Sequence, residues 1–285
     1  MRQIFLITFK TFVSLFSGRG FGKLYLIKLA YDFFLKRSKS NFTTVLGHKM
    51  YLDSKDPLLL SINHVYESFE TMLIQKEIKR ENVVLDIGAH IGYYTLIFAK
   101  LVGKNGKVYA FEPEPTNFDL LKKNVEINGY KNVVLINKAV SNKNGKTKLY
   151  LGKENTADHR IYKSDDSRKF IEIETVKLDD YFKNHRKVDF IKMDVQGAEY
   201  SVLQGMSKLL KNNKTIKIVS EFWPIGLKRI RAKPAKFLKL LFTKGFKLYD
   251  IDEQKRNVAQ TTPNKLLSLY TPIKGNYTNL LCIRK

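Results

Sequence analysis

The 285-residue chain has a single cysteine, Cys282. One thiol excludes an internal disulfide framework and any cysteine-based zinc site, and it favours a reduced, intracellular setting. Acidic residues are also scarce, 27 against 51 Lys and Arg, which leaves a formal net charge of +24. That excess is compatible with nucleic acid, an anionic membrane surface or an acidic substrate as partner, and equally with plain solubility. Missing too is an uninterrupted apolar run of the ~18–20 residues that a spanning helix needs. The two N-terminal runs, IFLITFKTFVSLF and LYLIKLAYDFFL, are broken by Lys10 and by Lys28 and Asp32. No small-residue cleavage pattern marks a signal peptide. No internal repeat or low-complexity tract stands out, and 44% hydrophobic residues mark a globular chain.

Residues 1–50 form an apolar and basic helical region. Its first forty residues carry Arg2, Lys10, Arg19, Lys23, Lys28, Lys36, Arg37 and Lys39 against Asp32 alone. Two readings follow. The helices cover one side of the domain made by residues 51–285, or they lie on an anionic membrane surface with that domain facing the cytoplasm.

From residue 51 the pattern changes. HKMYLDSKDPLLL reads as a short strand and a turn, and NHVYESFETMLIQKEI as a helix. Then strands and helices alternate: VVLDIG, a helix from Tyr93 to Leu101, KVYAFEP, a helix from Asn117 to Asn128, VVLINKAV. Later come VDFIKMDV, a helix from Ala198 to Leu210, IKIVSEF, a helix from Pro234 to Lys244, FKLYDID and NLLCIRK. Continuous apolar strands separated by helices predict an α/β fold, a mostly parallel sheet with helices on both faces. TKLYLG and KFIEIETVKL interrupt the alternation as an antiparallel pair between the third and fourth strands, joined by the polar stretch KENTADHRIYKSDDSR.

The stretch NVVLDIGAHIGYYTLIFAK is a strand, a glycine turn and a helix, a shape that brings backbone N–H groups to a ligand. The dinucleotide pattern G-x-G-x-x-G lacks its second glycine, since Ala89 and His90 follow Gly88, and a P-loop would need Gly-Lys-Ser/Thr where Tyr93 follows Gly92, so both phosphate readings are weak. Glu112 closes the next strand about 20 residues after the turn, where a carboxylate accepts hydrogen bonds from ribose hydroxyls. A ribose without a pyrophosphate site points to S-adenosylmethionine. Asp86 would stand near its cationic end, although a turn or capping carboxylate explains Asp86 alone as well.

The blocks VVLDIGAHIGYYTL, VYAFEPEPTNFDLLKKNVEINGY, NKAVSNKNG, LDDYF and FIKMDVQGAEYSVLQGM together resemble the FkbM family of S-adenosylmethionine-dependent methyltransferases. The resemblance runs from about residue 50 to 252. It implies a class I, Rossmann-like methyltransferase sheet of seven strands whose last strand, here NLLCIRK, is antiparallel. It implies S-adenosyl-L-methionine as cofactor. The cofactor-binding candidates are Tyr66, Glu67, Asp86, Gly88, Ala89, His90, Gly92, Tyr93, Thr95, Glu112, Pro113, Ala139 and Asp194. Gln196 stands where the family often has Glu, so no carboxylate role carries over there.

Methyl transfer from a sulfonium is an in-line displacement whose leaving group departs neutral, so holding the reactants in line supplies most of the catalysis. A hydroxyl acceptor also needs a base or a metal to take its proton. Asp194 ends an apolar strand at the ligand edge and is the first candidate base. His159, followed by Arg160 as the family resemblance implies, is the second. Glu199, in the first turn of the next helix, is a third catalytic candidate, though an acid there also complements the helix dipole. Glu221 would lie beside Asp194, and two or three such carboxylates suit a divalent cation, but no full ligand set is visible. The expected activity is O-methylation of a hydroxyl on a glycan, lipid-linked or small-molecule acceptor. The alternative is a nucleic-acid-binding or RNA-modifying protein. Against base methylation, no D-P-P-Y-like segment follows the fourth strand and no Pro-Cys nucleophile exists.

Overall fold

The structure is a computed structural model that describes residues 2–16, 25–153, 155–163, 167–183, 187–273 and 275–284. Arg19 and Lys23, counted above in the basic N-terminal region, lie outside the described residues. The chain divides into two compact units, Met1–Tyr66 and Glu67–Lys285. The division falls later than the boundary expected after residue 50.

In the first unit the two apolar runs form helices, Arg2–Phe16 and Tyr25–Ser38. They pack through aromatic rings: Phe9 is buried and meets Tyr31 at 5.2 Å, and Phe5 meets Phe33 and Phe34 at 6.5 and 6.4 Å. Strands Phe42–Val45 (β1) and His48–Tyr51 (β2) then form an antiparallel hairpin. Only the second of these was expected from the sequence. The short helix Leu60–Asn63 is capped by buried Asp56, whose carboxylate accepts the Leu60 and Ser61 N–H groups and the Ser61 hydroxyl.

The second unit carries strands Val83–Ile87 (β3), Lys107–Phe111 (β4), Val133–Ile136 (β5), Ala139–Val140 (β6), Gly145–Tyr150 (β7), Phe170–Val176 (β8), Phe190–Met193 (β9), Lys217–Phe222 (β10), Phe246–Asp252 (β11), Asn257–Thr261 (β12) and Thr278–Arg284 (β13). The main sheet has the order β12-β11-β13-β10-β9-β3-β4-β5. Strands β5, β4, β3, β9 and β10 run parallel, and β13 is antiparallel to both β10 and β11, as NLLCIRK led one to expect. The α/β class is as expected, but the sheet has eight strands rather than seven. The extra one is β12, a polar edge strand that pairs antiparallel with β11. The core strands are buried almost throughout because helices cover both faces.

Strand order reverses between β3 and β9: β4 and β5 lie to one side, β10 to the other. Open α/β sheets bind ligands outside the carboxyl ends of the strands at such a point. Gly88 sits there with φ +85°, and a Cβ on it would collide with the Asp194 carbonyl at the end of β9. Only glycine allows the two strand ends to approach so closely.

Three expected elements are broken. VVLINKAV splits after Ile136, and Ala139–Val140 leaves the main sheet to pair parallel with β8. There β8 also pairs antiparallel with β7, the inserted pair read from the sequence. The helix expected across NHVYESFETMLIQKEI is interrupted at His64–Glu67, where both end residues have positive φ (59° and 41°), and resumes as Ser68–Glu77. The helix expected from Ala198 to Leu210 breaks at Met206 into Glu199–Gly205 and Ser207–Asn212.

Candidate active site

A cleft enclosing about 600 Å³, its open mouth included, lies over the ends of β3, β4 and β9. Ile87, Phe111, Ala139 and Val140 give it apolar walls, Gly88, His90, Glu112 and Pro113 one edge, and Asp194 with Val195 the other. His159 and Thr156, from the inserted polar stretch, also line it.

Glu112 is buried and fixed. One carboxylate oxygen accepts the His90 N–H at 2.8 Å, the other the Glu114 N–H at 3.0 Å. Burial raises its pKa to about 7. The Asn117 side chain is a third hydrogen-bonding neighbour, and the carboxylate still has acceptor capacity left for a ligand hydroxyl. The inserted stretch is latched over this edge, since the Asn117 amide donates to the Thr156 carbonyl at 3.1 Å and the His90 ring meets the Thr156 hydroxyl at 3.4 Å.

Asp86 is buried one layer beneath, where the Thr95 hydroxyl donates to it. Burial raises its pKa to about 6 despite that bond. Several sequence candidates therefore support the cleft without lining it. Thr95 holds Asp86, buried Ala89 donates its N–H to the Phe111 carbonyl, and Gly92 caps the helix Tyr93–Val102. Tyr93 is buried with its hydroxyl 3.0 Å from that of Thr71. Tyr66 falls in the first compact unit, whereas Glu67 opens the second.

Further carboxylates lie close to Asp194. Asp194 is one-third exposed and accepts the Gln196 amide at 2.8 Å. Glu199 is buried, and one oxygen braces the turn by accepting the N–H groups of Val195 and Gly197 at 3.2 and 3.1 Å. Burial raises its pKa to about 7. Glu221, at the end of β10, is held well above the usual carboxylate range by burial, by Asp194 and by Glu199. The outer oxygens of Glu199 and Glu221 are buried without a hydrogen-bond partner among the described residues.

One ammonium answers these charges. Lys192 is buried in β9, opposite Asp86 in the β3 register. Its Nζ lies 3.1 Å from Glu70 and 4.0 Å from Asp194. Burial works against the ammonium, but Glu70, Asp194 and Glu67 outweigh it and raise its pKa. Neither Lys192 nor Glu70 stood out in the sequence reading. The signal was a lone lysine inside an otherwise apolar strand, FIKM, which must find a carboxylate to be buried at all.

His159 does not suit the role of base. Its Nδ1 accepts the Gly152 N–H at 3.0 Å, so in the neutral ring the proton sits on Nε2 and the basic nitrogen is already engaged. Arg160 is turned to Asp158, with bonds of 2.6 and 2.9 Å, and stacks 4.9 Å from the Trp223 ring. Among the described residues no three His, Cys, Asp or Glu side chains are placed to hold a metal ion.

The cleft fits S-adenosylmethionine. Its apolar walls suit an adenine, the buried Glu112 carboxylate suits the ribose hydroxyls, and the carboxylates around Asp194 suit a cationic amino-acid end.

The family model for the methyltransferase FkbM domain matches residues 86–248. Among curated proteins, a protein-L-isoaspartate O-methyltransferase of Methanococcoides burtonii is 43% identical over 53 residues, 19% of this chain and 26% of that protein. Methyltransferase sdnD of Sordaria araneosa is 28% identical over 187 residues, 51% of this chain and 68% of that protein. The chain spans only about a quarter of the length of the first of these relatives. Among solved structures, the methyltransferase FkbM of Methylobacillus flagellatus is 17% identical with a TM-score of 0.42, over 71% of this chain and 43% of that one. A SAM-dependent methyltransferase from Aquifex aeolicus is 18% identical with a TM-score of 0.42, over 81% and 95%.

Proposed function

Since the chain belongs to the FkbM family of S-adenosylmethionine-dependent methyltransferases, we propose that it methylates a hydroxyl oxygen on a glycan, lipid-linked or small-molecule acceptor, with Asp194 as general base. The observation that carries this reading is the placement of Asp194. It follows β9 directly at the switch point, lines the cofactor cleft, and accepts a hydrogen bond from the Gln196 amide. Several curated relatives are named as O-methyltransferases, which supports oxygen as the acceptor atom.

Bound S-adenosylmethionine supplies an electrophilic methyl on a sulfonium. The protein's part is to hold the ribose through Glu112, to exclude water with the latched stretch around Thr156, and to place the acceptor O–H on the free lone pairs of Asp194. Asp194 takes that proton as the oxygen attacks. The Lys192 ammonium stands 4.0 Å from Asp194 and 3.1 Å from Glu70, a fixed positive charge behind the base.

Asp194→Asn keeps the shape and removes the basicity. With an acceptor found by labelling cell extract with radioactive methyl donor, turnover should fall ~100-fold or more while cofactor affinity stays within a few-fold. Unchanged turnover in Asp194→Asn, or label appearing on nitrogen or on RNA, overturns the reading.

A further inference from the structure

The first helix turns one coherent face outward. Ile4, Ile7, Thr8 and Thr11 are exposed, with Ile4 and Ile7 at 68% and 66%, while Phe5, Leu6, Phe9 and Val13 turn away from solvent. None of these four exposed side chains bears a charge. The one described hydroxyl bond of this face is internal: Thr8 donates back to the Ile4 carbonyl at 2.9 Å. The second helix does the same with Leu29 and Phe33, 54% and 46% exposed. Phe5 touches Phe33 and joins the two faces. Lys36 and Arg37 are exposed on the last turn of that helix, and the Arg37 guanidinium lies 3.8 Å over the Phe33 ring.

Four large exposed apolar side chains on two adjoining helices are more than a solvated surface carries by chance. The charge beside them selects what covers them. Eight Lys and Arg stand against Asp32 in the first forty residues, and the described pair Lys36 and Arg37 sits at the edge of the apolar face. A protein partner's core has no use for that excess, whereas apolar side chains bordered by cations match the boundary between acyl chains and anionic headgroups. No helix among the described residues is long and apolar enough to cross a membrane. We infer that Arg2–Phe16 and Tyr25–Ser38 form an interfacial helical hairpin that docks on the surface of an anionic bilayer through Ile4, Ile7, Leu29 and Phe33.

The test is flotation of the full-length protein with vesicles of phosphatidylcholine containing 30% phosphatidylglycerol, against pure phosphatidylcholine. The protein should float with the anionic vesicles at low salt, at least tenfold more than with the neutral ones, and lose most of that in high salt. The variant Ile7→Asp/Phe33→Asp should lose flotation, keep its melting temperature and keep binding S-adenosylhomocysteine. Failure of the wild type to float overturns the inference. So does a double variant that melts much earlier, since its side chains are then core. A wild-type dimer in light scattering that the double variant breaks, without flotation, assigns the face to a second copy instead.

Discussion

The carboxyls of this site are unusual one residue at a time. Asp86, Glu112 and Glu199 are buried, and burial raises them to about 6, 7 and 7. In the unfolded chain such groups titrate near 4. The native state therefore holds protons that the unfolded chain has already released, and unfolding gains in favour as pH climbs through that interval. On these three groups the ligand-free protein should lose stability as pH rises from about 4 to 7, with the loss levelling off above that. For Glu112 alone, a shift from 4.5 to about 7 corresponds to roughly 3 kcal/mol at ~1.4 kcal/mol per unit. Glu112→Gln, neutral throughout, should flatten the fall in melting temperature across this range. A wild-type melting temperature that rises from pH 5 to 8 contradicts this account of the buried acids.

At the scale of elements, the helix Ser68–Glu77 has no cap of its own. Glu67 is in the left-handed region and its side chain makes no cap bond. The cap comes from Glu253, between β11 and β12, whose carboxylate accepts the Phe69 and Glu70 N–H groups at 2.9 Å each. Glu253→Ala should cost about 1–2 kcal/mol in denaturant melts, as for loss of an N-cap. Because Glu70 anchors Lys192, it should also reduce turnover, while Gln at 253 should recover part of both. Such a cap was not legible in the sequence, since it joins residues far apart in the chain. The strands β3, β4, β9 and β10 were legible, because a strand buried on both faces must be apolar along its length. The same logic hid β12, a polar edge strand reading NVAQT, and the break after Ile136, where an apolar run continues in sequence but changes sheets. Within the site, Asp86, Glu112 and Asp194 were readable as acids closing apolar strands. The latch through Asn117 and Thr156 was not, because ordinary polar residues carry no mark of what they will meet.

At the scale of the whole molecule, the cofactor cleft ties β3, β4, β9 and the inserted stretch together. A ligand there should stabilise all of them at once. S-adenosylhomocysteine at 100 times its dissociation constant should add about 2.7 kcal/mol, read as a rise in melting temperature. Glu112→Ala should weaken its binding by about 1.5–3 kcal/mol through loss of a charge-assisted hydrogen bond. Equal affinity in that variant would remove Glu112 from the ribose site.

The position of β13 has a consequence in time. This strand, residues 278–284, is not at an edge but sits between β10 and β11. Synthesis at ~5–20 residues per second reaches the end of β10 at residue 222 roughly 3–12 seconds before it reaches residue 284. During that interval the flank of β10, with Glu221 at its tip, has no neighbour to pair with, and β11 and β12 can form only a hairpin on their own. The nascent chain thus carries an open seam beside its own active site, and that seam is where a chaperone, or a misplaced strand, would find it.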